Sequence, residues 1–232
     1  SLAWSYRELC DRNACWPVFY QVSPDQLPLY LDLGLSLAKL GEEARVLLPT
    51  FTMDGTRNAK QRNKHHRATR EGASFVMLRP IDVEARFDEL RAISDDWLTG
   101  KSVAEKGFSV GRFDPDYLRR FHCACVLREG RIVAFANLWL GGTGRQEFAI
   151  DLMRYGADAP KGVMDFLFIE LMFWGKAEGY RWFNLGMAPL AGLERHPLAP
   201  FWHKVGRIVH RYGEPFYNFD GLRQYKDKFS PE

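Results

Sequence analysis

Two ionisable residues three positions apart, Asp151 and Arg154, stand where a short apolar run gives way to a turn, in Gln146-Glu147-Phe148-Ala149-Ile150-Asp151-Leu152-Met153-Arg154-Tyr155. A carboxylate in such a place can take a proton from an attacking hydroxyl or orient an ammonium group, and a guanidinium can hold a phosphate or a developing oxyanion. A structural ion pair fits the same two residues equally well. A second candidate set is the basic terminal segment with Arg223, Lys226 and Lys228, where a lysine offers a point charge to phosphate groups. The plain alternative for that segment is the solvated face of a terminal helix. A third set lies between Arg57 and Arg70, a run with six lysines and arginines and no acid. Within it Arg57, Lys60, Lys64 and Arg67 recur at three- and four-residue spacing, so a helix stacks them along one side. Such a stripe suits a nucleic-acid backbone or an anionic membrane surface, and many such stripes are merely hydrated.

These residues need elements to hold them. Residues 146–152 read as a strand, opened by the turn Gly141-Gly142-Thr143-Gly144 and preceded by the apolar run Ile132 to Leu140, which makes a hairpin candidate. Asp158, Pro160 and Gly162 supply cap-and-start chemistry for a helix whose apolar series passes through Val163, Phe166, Leu167, Ile169, Leu171, Phe173 and Trp174. That helix is apolar on most sides and is expected to be buried against a sheet. Gly179 marks its stop, and Trp182-Phe183-Asn184-Leu185 returns as a strand parallel to the first, a βαβ unit. Asp151 and Arg154 then fall where the first strand ends, and the carboxyl ends of strands are where open sheets place ligands. Asn184 and Gly186, at the end of the returning strand, are candidates to line a substrate pocket, although a strand-end turn explains them as well.

Around this unit the chain reads as α/β. A helix end over residues 3–13, a strand at Trp16 to Val22, a helix from Ser23-Pro24-Asp25, a strand at 43–48 and the basic helix 56–71, closed by Gly72, make a first part. A second begins with a strand at Ser74 to Leu78 and continues with a helix over 82–98, a short helix near 115–120, and paired strands at 122–128 and 131–140. After the central unit, 191–209 reads as partly helical, 212–219 as loop or strand, and 222–229 as a short basic helix. The boundary falls near residue 73, giving domains 1–73 and 74–232. With 232 residues and a hydrophobic fraction of 46%, the chain can bury a real core. Its net charge of +3 hides an asymmetry: the run from Arg57 to Arg70 carries +6 and the remainder −3. Cys10, Cys15, Cys123 and Cys125 lack metal-ligand spacing and read as reduced packing thiols; the adjacent His65 and His66 make a poor metal pair and read as surface histidines. No metal and no cofactor is expected. The longest apolar stretch, Gly162 to Gly175, is too short to span a bilayer and carries Asp165 and Glu170.

At Phe51-x-x-x-Gly55, the basic helix ending Arg70-Glu71-Gly72, Asp151-Leu152-Met153-Arg154-Tyr155, and Tyr217-Asn218-Phe219-Asp220-Gly221-Leu222-Arg223-Gln224-Tyr225-Lys226-Asp227-Lys228-Phe229, the sequence resembles the catalytic domain of the phosphatidylglycerol aminoacyltransferases, the multiple peptide resistance factors. Trp16 to Val22 and Gly41-Glu42-Glu43-Ala44 also match, so the similarity covers nearly the whole chain. The resemblance implies an α/β architecture of tandem GNAT-type acyltransferase folds, the first N-terminally incomplete. It implies transfer of lysine or alanine from aminoacyl-tRNA to phosphatidylglycerol at the cytoplasmic face of the cell membrane, resistance to cationic antimicrobial peptides, and an N-terminal membrane flippase region in the full-length protein. It gives Asp151, Arg154 and Lys228 catalytic weight, points to Tyr155, Asn184, Gly186 and Arg223 for substrate, and to Arg57, Lys60, Lys64 and Arg67 for tRNA. Two rivals use related folds. Cell-wall peptidyl transferases also take aminoacyl-tRNA and differ in the acceptor. Acyl-CoA-dependent N-acetyltransferases need a glycine-rich pyrophosphate loop, whereas Arg154 to Gly162 here has misplaced glycines, an Asp158 that repels a pyrophosphate, and a Pro160 that lacks the amide. A non-catalytic module docking on tRNA or anionic membrane through the basic helix is a third reading.

Overall fold

A computed structural model describes residues 1–101, 112–142, 144–189, 191–192 and 219–231. Six strands form one mixed sheet in the order β1-β6-β5-β4-β3-β2: β1 Gly41–Leu47, β2 Ala73–Leu78, β3 His122–Arg128, β4 Arg131–Leu140, β5 Glu147–Tyr155 and β6 Trp182–Pro189. All neighbours are antiparallel except β5 and β6. The helices are α1 Leu2–Arg12, α2 Leu27–Asp32, α3 Ala59–Arg70, α4 Pro80–Val83, α5 Phe87–Lys101, α6 Pro115–Leu118, α7 Val163–Ala177 and α8 Phe219–Asp227.

Side-chain alternation along the strands sorts the core onto two faces. On β3, Ala124 and Val126 pack with α7, Ala68 of α3 and Phe229, while Cys123 and Cys125 pack with Val83, Phe87, Leu90 and Ile93 of α4 and α5. The crossover helix α7 is apolar on nearly all sides because it lies between the sheet and α3, with Phe166, Leu167, Phe168, Ile169, Leu171 and Met172 all buried. Each such side chain contributes about 1.5–3 kcal/mol on burial. Helix α7 starts after Gly162, whose φ of +85° gives the turn a conformation that side chains resist.

The helix expected over 82–98 is split, a short α4 and a single 3-10 turn preceding α5. The segment Trp16 to Val22 is not a strand: most of it lies outside any regular element, with Trp16 and Val18 exposed and Phe19 packed on Tyr6 and Tyr30. Its alternation suits a ladder, but no strand of the described residues pairs with it. The boundary drawn near residue 73 falls between α3 and β2. Strand β1, from before it, runs hydrogen-bonded along β6, from after it. The elements expected at 191–209 and 212–219 lie outside the described residues apart from 191, 192 and the first residue of α8.

Candidate active site

The one parallel pair in the sheet is also its most incomplete. Strands β5 and β6 are in register only at Glu147↔Trp182, Phe148↔Phe183 and Ala149↔Asn184. Beyond these rungs β5 continues to Tyr155 on β4, and β6 continues to Pro189 on β1. The two strands therefore part, and a cleft opens at their carboxyl ends, the place where open sheets receive ligands. Each edge of the cleft carries a bulge. Ala136 faces Met153 while Leu138 faces Ile150, so Asn137 stands opposite both Asp151 and Leu152. Likewise Leu185 and Gly186 stand opposite Ala44 alone, and Gly186 has a φ of +81°.

The bulge on β5 decides where the predicted acid and base go. Three residues apart on a regular strand, Asp151 and Arg154 would face opposite sides. The extra residue resets the alternation: Ile150 and Tyr155 pack on the α7 side, whereas Leu152 joins the α5 core. Asp151 accepts hydrogen bonds from the Tyr117 hydroxyl at 3.0 Å and Asn137 Nδ2 at 3.4 Å. Arg154, 8% exposed, lays its guanidinium 4.1 Å over the Trp97 ring of α5 and donates to the Met153 carbonyl at 3.1 Å. Both side chains thus reach the α5 face, with different neighbours. The strand is longer than expected, so both residues lie inside β5 and not at its end.

Asn184 sits at the apex of the cleft. Its Nδ2 donates to Glu147 Oε1 at 3.0 Å, from the last of the three paired rungs to the first, and its Oδ1 accepts the Gly186 amide at 2.7 Å, which shapes the bulge of β6. Tyr155 faces the α7 side, apart from Asp151. Lys226, weighted only as a companion of Lys228 in the sequence, is the residue that meets the cleft edge. It is 6% exposed, and its Nζ donates to the carbonyls of Gly186 at 2.9 Å and Met187 at 2.8 Å. Burial lowers its pKa to about 8, and the charge of Glu43 draws it partly back up. The contact follows from the bulge, which no local sequence pattern announces.

Lys228 lies on the α7 face. Its Nζ is 3.5 Å from Asp165 Oδ1 and 4.2 Å over the Tyr225 ring. Asp165, buried in the first turn of α7, also receives Lys64 Nζ at 2.5 Å. Burial and then the Asp165 charge push the Tyr225 hydroxyl up. Of the expected stripe of four cations only Lys64 turns inward to α7; Arg57, Lys60 and Arg67 stay exposed, Arg67 pairing with Glu71 at 2.7 Å on the surface. His65 is not a surface residue either, for it stacks on Phe166 and bonds Glu170 at 2.6 Å. Helix α3 is amphipathic in the tertiary sense that one face, Gln61, Lys64, His65 and Ala68, docks on α7 and the segment after α8. Arg57 and Lys228 share a cavity of about 260 Å³ with Thr50, Asn58, Gln61 and Phe229. The side chain of Arg223 lies outside the described residues. Among the described residues, no three His, Cys, Asp or Glu gather as a metal site, and no helix is long and apolar enough to cross a membrane.

The whole chain, residues 1–232, matches the family model of the phosphatidylglycerol lysyltransferase C-terminal region. A phosphatidylglycerol lysyltransferase of Bacillus subtilis is 43% identical over 217 residues, which cover 93% of this chain and 25% of that protein. The chain thus spans about a quarter of the length of this curated relative. Among solved structures, the C-terminal domain described as that of a lysylphosphatidylglycerol synthetase from Agrobacterium fabrum superposes with a TM-score of 0.81 at 40% identity, covering 100% of this chain and 69% of that one. L-PGS from Bacillus licheniformis gives 0.78 at 40% identity, covering 98% and 68%. With its full length matched by the family model, the chain belongs to the phosphatidylglycerol lysyltransferase C-terminal family.

Proposed function

We propose that this domain transfers an amino acid from aminoacyl-tRNA to the glycerol hydroxyl of phosphatidylglycerol, the lysyl donor being favoured by the names of its relatives. The observation that carries the reading is the parting of β5 and β6, with an acid and a guanidinium on the α5 face of β5 and, on the other face, Lys64 and Lys228 gathered on Asp165 at the first turn of α7. Strands that part at their carboxyl ends leave room between them for a substrate, and charged groups stand on either face to hold it. The reaction exchanges one ester for another. The glycerol oxygen bonds to the carbonyl carbon, the bond to the ribose oxygen breaks, and the hydroxyl proton ends on the ribose. Little net driving force is needed, so the protein's task is positioning and charge management. Asp151 orients the acceptor hydroxyl and takes its proton, and Arg154 holds negative charge beside it, either the lipid phosphate or the developing oxyanion. Arg57, Lys60 and Arg67, exposed cations of the basic helix region, meet the tRNA backbone, and Lys228 supplies charge at the cavity. Tyr155, Gly186 and Arg223 belong to the substrate-lining set, and Asn184 holds the cleft apex.

The same reading takes residues 1–73 as the rest of a first acyltransferase-like fold that contributes β1 and α3 to the second. It also places the full-length protein at the cytoplasmic face of the membrane, with a flippase region before this domain and protection against cationic peptides as the outcome. An acyl-CoA donor is disfavoured by charge, because the buried carboxylate of Asp165 occupies the first turn of α7, where a pyrophosphate would have to sit.

The test is direct. The full-length protein is incubated with radiolabelled lysyl-tRNA or alanyl-tRNA and phosphatidylglycerol micelles, and label is sought in the lipid phase. Asp151→Asn should slow transfer about 100-fold or more. Arg57→Glu with Lys60→Glu should weaken tRNA binding and lower the salt slope by about two. No lipid label from either donor overturns the proposal.

A further inference from the structure

Asp151 has little freedom on its strand. The Tyr117 hydroxyl donates to its Oδ2 at 3.0 Å, and Trp139 Nε1 donates in turn to the Tyr117 oxygen at 2.8 Å. An indole N–H can only donate, so the Tyr117 oxygen accepts from Trp139 and its one proton is left to point at Asp151. Asn137, fully buried, divides its amide between the same carboxylate and the bulge: Nδ2 faces Asp151 Oδ2 at 3.4 Å while Oδ1 accepts the Leu152 amide at 2.7 Å. Both donors converge on Oδ2, which leaves Oδ1 for another partner. Tyr117 is itself anchored, its ring 4.7 Å from that of Phe121 and its helix capped by Asp114. Burial and the Asp151 charge keep its hydroxyl protonated well past neutral pH.

We propose that Tyr117, Asn137 and Trp139 are positioning residues that fix the Asp151 carboxylate at the cleft by occupying Oδ2, so that Oδ1 alone engages the acceptor hydroxyl. This rests on the reading of Asp151 as the residue that handles that hydroxyl. The chain Trp139 to Tyr117 to Asp151 runs from β4 through α6 to β5, so the carboxylate's rotamer is set by three elements and not by its own strand. A buried Asn137 with both ends of its amide engaged explains why the bulge stays at this rung.

The experiment is a double-mutant cycle on single-turnover transfer in the full-length protein. Tyr117→Phe keeps the ring packed on Phe121 and removes the hydroxyl alone; Trp139→Phe, at a position 48% exposed, removes the indole donor together with part of the ring. Tyr117→Phe should lower kcat about tenfold with KM for both substrates unchanged, and Trp139→Phe should lower it less, in the same direction. In the Asp151→Asn background Tyr117→Phe should have no further effect, because it acts through that carboxylate. A merely structural role for Tyr117 would multiply with Asp151→Asn and raise KM as well. If Asp151→Asn is slow and Tyr117→Phe leaves kcat at the wild-type value, or multiplies with it, the positioning role is wrong while the reading of Asp151 stands. If Asp151→Asn transfers at the wild-type rate, that reading fails and takes the positioning role with it.

Discussion

Lys226 sets burial and charge against each other, and the balance between them is measurable. In the unfolded chain its ammonium is hydrated and keeps its proton up to about pH 10.5, whereas in the fold burial lowers the pKa to about 8. Between those values the unfolded chain holds a proton at this position that the folded chain has released, so stability rises with pH. Below about pH 8 both states are protonated and the full cost of burying the charge is present; above 10.5 both are neutral and the cost is gone. At about 1.4 kcal/mol for each pH unit, the recoverable amount is about 3 kcal/mol. Lys226→Met removes the charge and keeps a long flexible side chain in the site. It also deprives the Gly186 and Met187 carbonyls of their donor, at about 1 kcal/mol each. The two variants should therefore be of similar stability near neutral pH, and the wild type should gain about 3 kcal/mol on the variant by about pH 10.5. The hydroxyls of Tyr117 and Tyr225 and the thiol of Cys123 are pushed up in the fold, so they lose stability as pH rises, but they do so in both proteins and cancel in the difference. Urea unfolding followed by tryptophan fluorescence, under reducing conditions at a series of pH values, gives that difference. A difference that is flat with pH would mean that Lys226 is not held as a buried ammonium, and the argument for its place at the cleft edge would fail.

Asp165→Asn removes the shared counter-charge of Lys64 and Lys228, whose side chains are 31% and 33% exposed. It should cost about 2 kcal/mol, and amide hydrogen exchange should quicken in α3, where Lys64 anchors to α7; unchanged exchange in α3 would show that the contact does not hold the helix. Gly175→Ala should destabilise by about 1–3 kcal/mol, because a Cβ there would press into the Phe148 ring and Leu48, both buried in the core. A midpoint of thermal unfolding equal to that of the wild type would mean that α7 can shift away from the sheet at no cost.

The central βαβ unit was legible for a local reason. Gly141-Gly142, Gly162 and Gly179 punctuate it, and the intervening runs differ in period, so strand, helix and strand could each be named from a handful of neighbours. The strands at 122–128 and 131–140 fall at their expected bounds. Trp16 to Val22 shows the limit of this kind of reading: its composition is that of a strand, but a strand exists only where a ladder partner is present, and none of the described residues provides one. The charge pattern around α3 shows a limit of another kind. Spacing placed Arg57, Lys60, Lys64 and Arg67 on one side, yet it carried no information about the buried Asp165 that draws Lys64 inward.

The amino-acid sequence determined the strand, helix and strand of the central unit, the burial of α7 and the placing of an acid and a guanidinium three residues apart towards the end of the first strand, because hydrophobic periodicity and turn chemistry act over a few residues. Tertiary structure alone decided that Asp151 and Arg154 share a face, since this depends on one extra residue opposite Asn137 and hence on the register of another strand. It alone opened the cleft, because β5 and β6 part only when each is held on its other edge, β5 by β4 and β6 by β1. The seating of Lys226 at that edge has the same origin: its carbonyl partners are forty residues away in the chain and are presented by a bulge that only the packed sheet fixes.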